Sequence, residues 1–153
     1  TKFMIALNEH QRWMLYALKE AKKAYNIDEV PVGSIIVKDG MIMGTGYNQM
    51  ETLNDSTAHA EIIAITAASN KLGDWRLNSS SIYITKEPCI MCIGAIINSR
   101  IENVFYGLPD VESKFSIIKN KLDVRMSHLK YVEGEILKDE CQKIIQDFFL
   151  KKR

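Results

Sequence analysis

Three side chains that favour zinc lie in two short stretches. Thr57-Ala58-His59-Ala60-Glu61 offers one imidazole and, two residues on, a carboxylate, and Glu87-Pro88-Cys89-Ile90-Met91-Cys92 offers two thiols in C-x-x-C spacing. A structural zinc site is closed by four protein ligands, whereas a catalytic one keeps a position open for water. No fourth cysteine adjoins the pair to close the set, and Glu61 lies beside the ligand histidine, free to move protons. Zinc lowers the pKa of a water it holds from about 15.7 toward about 7, so the chemistry on offer is hydrolysis. Each half alone has other readings. H-x-E recurs by chance, His59 alone fits a packed helix histidine, and C-x-x-C alone fits a redox pair or half of a zinc knuckle. A redox pair has no need of H-x-E, and a knuckle needs a second ligand pair.

The elements that must hold these groups follow from periodicity. Glu9 to Tyr25 reads as an amphipathic helix, with Asn8 as N-cap. Ser34–Lys38 and Met41–Tyr47 read as strands joined through Asp39-Gly40, a tight-hairpin dipeptide. Asn48 to Ser56 reads as a loop. A helix beginning near Thr57 or Ala58 and running to about Asn70, capped by Ser56 or Thr57, would carry His59 and Glu61 in its first turn. Ser81–Thr85 reads as a strand. Glu87-Pro88-Cys89 opens a further helix with Pro at an early position and with Cys89 and Cys92 on one face. Glu102–Tyr106 reads as a strand and Leu137–Leu150 as a last helix. The alternation predicts a three-layer α/β/α sandwich around a largely parallel or mixed sheet.

Composition sets bounds. The 153 residues fit a single domain spanning 1–153, and 46% hydrophobic with 25% charged residues is ordinary for a globular protein. No stretch has the apolar length of a membrane span and no signal peptide opens the chain, so a cytoplasmic location is the default expectation. Two of the three cysteines belong to the metal motif, and Cys141 falls in a helical pattern as a free thiol. A net charge of +1 argues against general polyanion binding, although Lys151-Lys152-Arg153 form a basic tail able to touch phosphate.

H-x-E followed by P-C-x-x-C is the zinc deaminase signature. The flanking text narrows the match. Glu29-Val30-Pro31-Val32-Gly33, Gly46-Tyr47-Asn48, Ile93-Gly94-Ala95 after the second cysteine, Asn98-Ser99-Arg100-Ile101 and Asp147-Phe148-Phe149 extend it almost end to end. The chain resembles the bacterial tRNA-specific adenosine deaminases of the cytidine deaminase-like fold. That resemblance implies a five-stranded sheet with flanking helices, a homodimer, one zinc ion per subunit, and conversion of adenosine to inosine at the wobble position of a tRNA anticodon stem-loop. It implies that His59, Cys89 and Cys92 are ligands and Glu61 the proton shuttle. Asn48 would hydrogen-bond the purine, with groups around Ala60, Glu87 and Pro88 fixing it. Pro31 and Val32 resemble pocket-lining positions, Asp110 a contact to the nucleotide backbone, and Phe148 and Phe149 parts that meet the anticodon loop. For both phenylalanines, helix packing is the competing reading. There are departures: Gln49 stands where the family has Arg, Ser56 where it has Pro, and Val111-Glu112-Ser113-Lys114-Phe115-Ser116-Ile117 replaces a glycine-bearing loop near the RNA entrance. These keep open a second expectation, a deaminase of a free nucleobase or nucleoside. A third, a non-catalytic RNA-binding module with structural zinc, would need a missing glutamate or a fourth ligand.

Overall fold

The computed structural model describes residues 6–110 and 128–152. The elements run α1 (Glu9–Asn26), β1 (Gly33–Lys38), β2 (Met41–Tyr47), α2 (Met50–Leu53), α3 (Ala60–Leu72), β3 (Ser80–Lys86), α4 (Ile90–Asn98), β4 (Asn103–Leu108), β5 (Tyr131–Glu133) and α5 (Lys138–Lys151). One five-stranded sheet has the order β2-β1-β3-β4-β5. β1 is antiparallel to β2 and β3, whereas β4 is parallel to β3 and β5, so the sheet is mixed as expected.

The sheet sorts its side chains by alternation. Ile36, Ile82, Ile84 and Val104 meet Ala64 and Ala68 of α3 and Ile96 of α4 on one face. Ile35, Val37, Tyr83 and Phe105 meet Met14 and Ala17 of α1 and Cys141 of α5 on the other. This is the three-layer sandwich. Asn8 caps α1 through a reciprocal bond pair with Gln11. Asp39 and Gly40 both take positive φ, at 52° and 72°, as a primed hairpin turn requires. Gly44 and Gly46 let α3 lie directly on β2: a Cβ at Gly46 would fall 2.3 Å from the Ala60 carbonyl oxygen.

Several boundaries differ from expectation. α3 starts at Ala60 rather than near Thr57 or Ala58, so His59 is the N-cap and not part of the first turn. α4 starts at Ile90, so Cys89 is the N-cap and Pro88 lies outside the helix. The stretch expected as loop contains α2, and β5 is an additional three-residue edge strand. The altered loop from Val111 to Ile117 lies outside the described residues.

Candidate active site

His59 and Cys89 each occupy a helix N-cap, and neither side chain caps its helix. Ser, Thr, Asp or Asn at such a position accepts a backbone N–H bond and helps start the helix. Here that role is forgone, and both side chains turn toward each other instead. His59 Nδ1 is 3.6 Å from the Cys89 Sγ and 3.5 Å from the Cys92 Sγ, which comes from one turn further along α4. Among the described residues, the His/Cys/Asp/Glu cluster whose donor atoms lie close enough to share an ion is His59, Cys89 and Cys92, with those atoms within 4.8 Å of one another. Zinc–sulfur and zinc–nitrogen bonds of about 2.3 and 2.0 Å at a tetrahedral angle would place N and S about 3.5 Å apart. The donor set therefore fits zinc in both chemistry and spacing, and with three ligands it leaves one coordination position open.

The electrostatics suit a cation. The neighbouring Cys92 and His59 hydrogen bonds hold the Cys89 thiol down to about 3, and the Cys89 bond together with burial pushes the Cys92 thiol up. Cys89 also raises the pKa of His59 through its hydrogen bond. Glu61, in the first turn of α3, is buried at 4% exposure, and burial raises its carboxyl above the usual carboxylate range. That is the setting of a group suited to take and return protons rather than to hold a fixed charge.

A cavity of about 230 Å³ opens beside these residues. His59, Ala60, Glu61 and Cys89 form one side, and Val30, Val32, Asn48, Met50, Lys86, Glu87 and Asp110 complete the wall. Asn48 is 7% exposed; its Nδ2 donates to the Val30 carbonyl at 3.4 Å while its Oδ1 is buried without a partner. A buried acceptor left unpaired in a cavity wall is a ready site for a ligand donor. Asp110 accepts an ion pair from Lys86 at 3.3 Å, and its backbone N–H donates to the Glu87 carboxylate at 3.1 Å.

Of the residues expected around the base, one lining residue and one that would help fix it do not line this cavity. Pro31 and Pro88 are buried and do not face the cavity. Val30 and Val32 flank Pro31 and turn toward the cavity, so Pro31 turns away into the interior. Phe148 is 4% exposed and packs edge-on to Tyr25 and Phe149, so helix packing accounts for most of its surface. It also lines a second hollow of about 620 Å³ that shares Val30, Asn48 and Met50 with the first. Phe149 is half exposed on α5. Val30, Met50 and Lys86 were not singled out from sequence, although each is within two residues of one that was.

A profile of the MafB19-like deaminases matches residues 8–153. The tRNA-specific adenosine deaminase of Buchnera aphidicola subsp. Schizaphis graminum is 41% identical over 147 residues, 95% of this chain and 97% of that protein. The chain belongs to this deaminase family. A structure from work on A-to-I editing by tRNA:A34 deaminases at the wobble position of transfer RNA superposes with a TM-score of 0.80 and 36% identity, over 87% of this chain and 98% of the other. A guanine deaminase from Bacillus subtilis superposes with a TM-score of 0.64 and 35% identity, over 76% and 78% of the two chains. Among the described residues no helix is long and apolar enough to cross a membrane.

Proposed function

We propose that this chain, acting as one zinc-dependent deaminase domain, hydrolyses adenosine to inosine at the wobble position of a tRNA anticodon and releases ammonia. The observation that carries the reading is the His59–Cys89–Cys92 cluster with buried Glu61 beside it, at the wall of a cavity that Asn48, whose buried Oδ1 has no partner, also lines. The near-full-length likeness to tRNA-specific adenosine deaminases supports the substrate. His59, Cys89 and Cys92 would hold zinc, which as a Lewis acid would make water ionise near neutral pH.

The protein's own groups perform the rest. An anticodon nucleotide is flipped from a single-stranded loop, where unstacking costs least. Asn48 holds the base, while Ala60, Glu87 and Val32 bound its space. Glu61 accepts a proton from the attacking water and passes it to the adjacent ring nitrogen as the C6–O bond forms. It then delivers the second water proton to the amino group, which leaves as ammonia as the C6–N bond breaks. Asp110 and Lys86 of the cavity wall, Phe148 and Lys152 of the second hollow, and the neighbouring Phe149 meet the flanking nucleotides. We assign a homodimer in the cytoplasm on family grounds; Ile90 of α4, 66% exposed, gives the partner apolar surface to cover.

The test is incubation of the purified protein with an anticodon stem-loop bearing wobble adenosine, and separately with adenosine, guanine and cytosine, measuring ammonia and inosine. The stem-loop should be deaminated. Glu61→Gln should keep its zinc and lose inosine formation. Activity on a free base with none on RNA would instead support a free-base deaminase, the reading that the guanine deaminase likeness favours.

A further inference from the structure

Glu29 is a buried carboxylate that the proposed chemistry does not use. It is 2% exposed, and a carboxylate is rarely buried without partners. Its Oε1 accepts the Glu51 N–H at 3.2 Å, and its Oε2 accepts the Thr52 N–H at 2.6 Å and the Thr52 hydroxyl at 2.7 Å. Those amides open α2, whose own N-cap residue, Gln49, makes no side-chain capping bond. Glu29 thus caps α2 from 22 residues upstream. The same two segments are joined twice more. Asn48 N–H donates to the Val32 carbonyl at 3.1 Å, and Asn48 Nδ2 donates to the Val30 carbonyl at 3.4 Å. Asn48 and Met50, held between these contacts, both line the cavity.

We propose that Glu29 is a positioning residue for base recognition: by capping α2 it fixes the Asn48–Thr52 turn, so that the Asn48 Nδ2 is spent on Val30 and its Oδ1 stays free for a donor on the nucleoside. The inference rests on the deaminase reading above and goes beyond it by giving recognition a buried support outside the metal centre. Glu29→Gln keeps the size of the side chain but sets an amide N–H donor against the N–H groups that the carboxylate accepts. The turn loosens while the ligand cluster is untouched.

The experiment is a double-mutant cycle on the anticodon stem-loop, reading kcat and KM separately, with zinc content and Tm measured for every variant. Glu29→Gln should retain a full complement of zinc and raise KM by about ten-fold, the effect of a lost buried hydrogen bond. In an Asn48→Ala background the same change should alter KM by less than about two-fold, because the residue it positions is gone. Equal losses in both backgrounds, or an unchanged KM in the single variant, would overturn the proposal. Should Glu29→Gln fail to fold, Thr52→Val removes the hydroxyl bond alone and should show the same dependence on Asn48. If the wild-type protein ignores the stem-loop, the substrate reading fails; the same cycle on whichever base it does deaminate still decides the role of Glu29.

Discussion

Gly46→Ala tests how the site is held. Gly46 lies on β2 where α3 crosses it, and an added Cβ would meet the Ala60 carbonyl oxygen at 2.3 Å, the Ala64 N at 2.7 Å and the Ile63 Cβ at 3.1 Å. Two of those are backbone atoms of a helix that has Ala64 and Ala68 buried against the sheet, so no flexible side chain can yield. The first turn of α3 must retreat by about 0.7 Å to restore the 3.0 Å that real Cβ atoms keep. His59 immediately precedes that turn as its N-cap and moves with it. Metal–ligand distances tolerate only about 0.2 Å, so the imidazole leaves its bonding distance from any ion held by Cys89 and Cys92. Overpacking of this kind costs about 1–3 kcal/mol, or roughly 3–10 °C of Tm for a chain of this size. Zinc per chain by atomic spectroscopy, Tm, and inosine formation should all fall. Gly94→Ala is the control: it is helical, and its added Cβ meets nothing within 4 Å. It should hold zinc fully and match or exceed wild-type Tm. A Gly46→Ala protein with full zinc and unchanged Tm would refute the reasoning.

Two further outcomes are expected. Cys92→Ser, which trades a soft ligand for a hard one at a fully buried position, should leave substoichiometric zinc and a lower Tm, both measurable without substrate. Cys141 is fully buried against Gly107, and burial raises its thiol from 9.0 to about 12. Above pH 9 the unfolded chain loses this proton while the folded one keeps it. Stability should therefore decline as pH rises from about 9 to about 12, and Cys141→Ala should flatten that slope in denaturant melts at stepped pH.

The cluster of His59, Cys89 and Cys92 was legible because it depends on residue type and order, which the sequence states outright. The helix starts were less so, for a physical reason. His59 and Cys89 are poor caps by propensity, and Thr57 and Ser56 look better. Thr57 is engaged elsewhere, its N–H and hydroxyl both donating to Asp55 at 2.8 and 2.7 Å. α2 escaped detection because its four residues carry no periodicity and its cap comes from Glu29, far upstream. β5 is three residues long and paired along one edge, too short for alternation to register. Pro31 and Val32 were read as equivalent lining residues, but the Val32 N–H donates to the Val30 carbonyl at 2.8 Å, a three-residue turn centred on Pro31 with Val30 and Val32 on the cavity.

The last turn of α5 is moored to the end of α1: Lys151 Nζ donates to the Tyr25 carbonyl at 3.1 Å and lies 3.9 Å from the Tyr25 ring centre, and Lys152 pairs with Asp28. Lys152, held by that pairing, lines the same hollow as Phe148. An amine-reactive label on Lys152 would break its pairing with Asp28 and fill that hollow, which shares Val30, Asn48 and Met50 with the cavity beside His59, so dyes for binding work are better attached elsewhere.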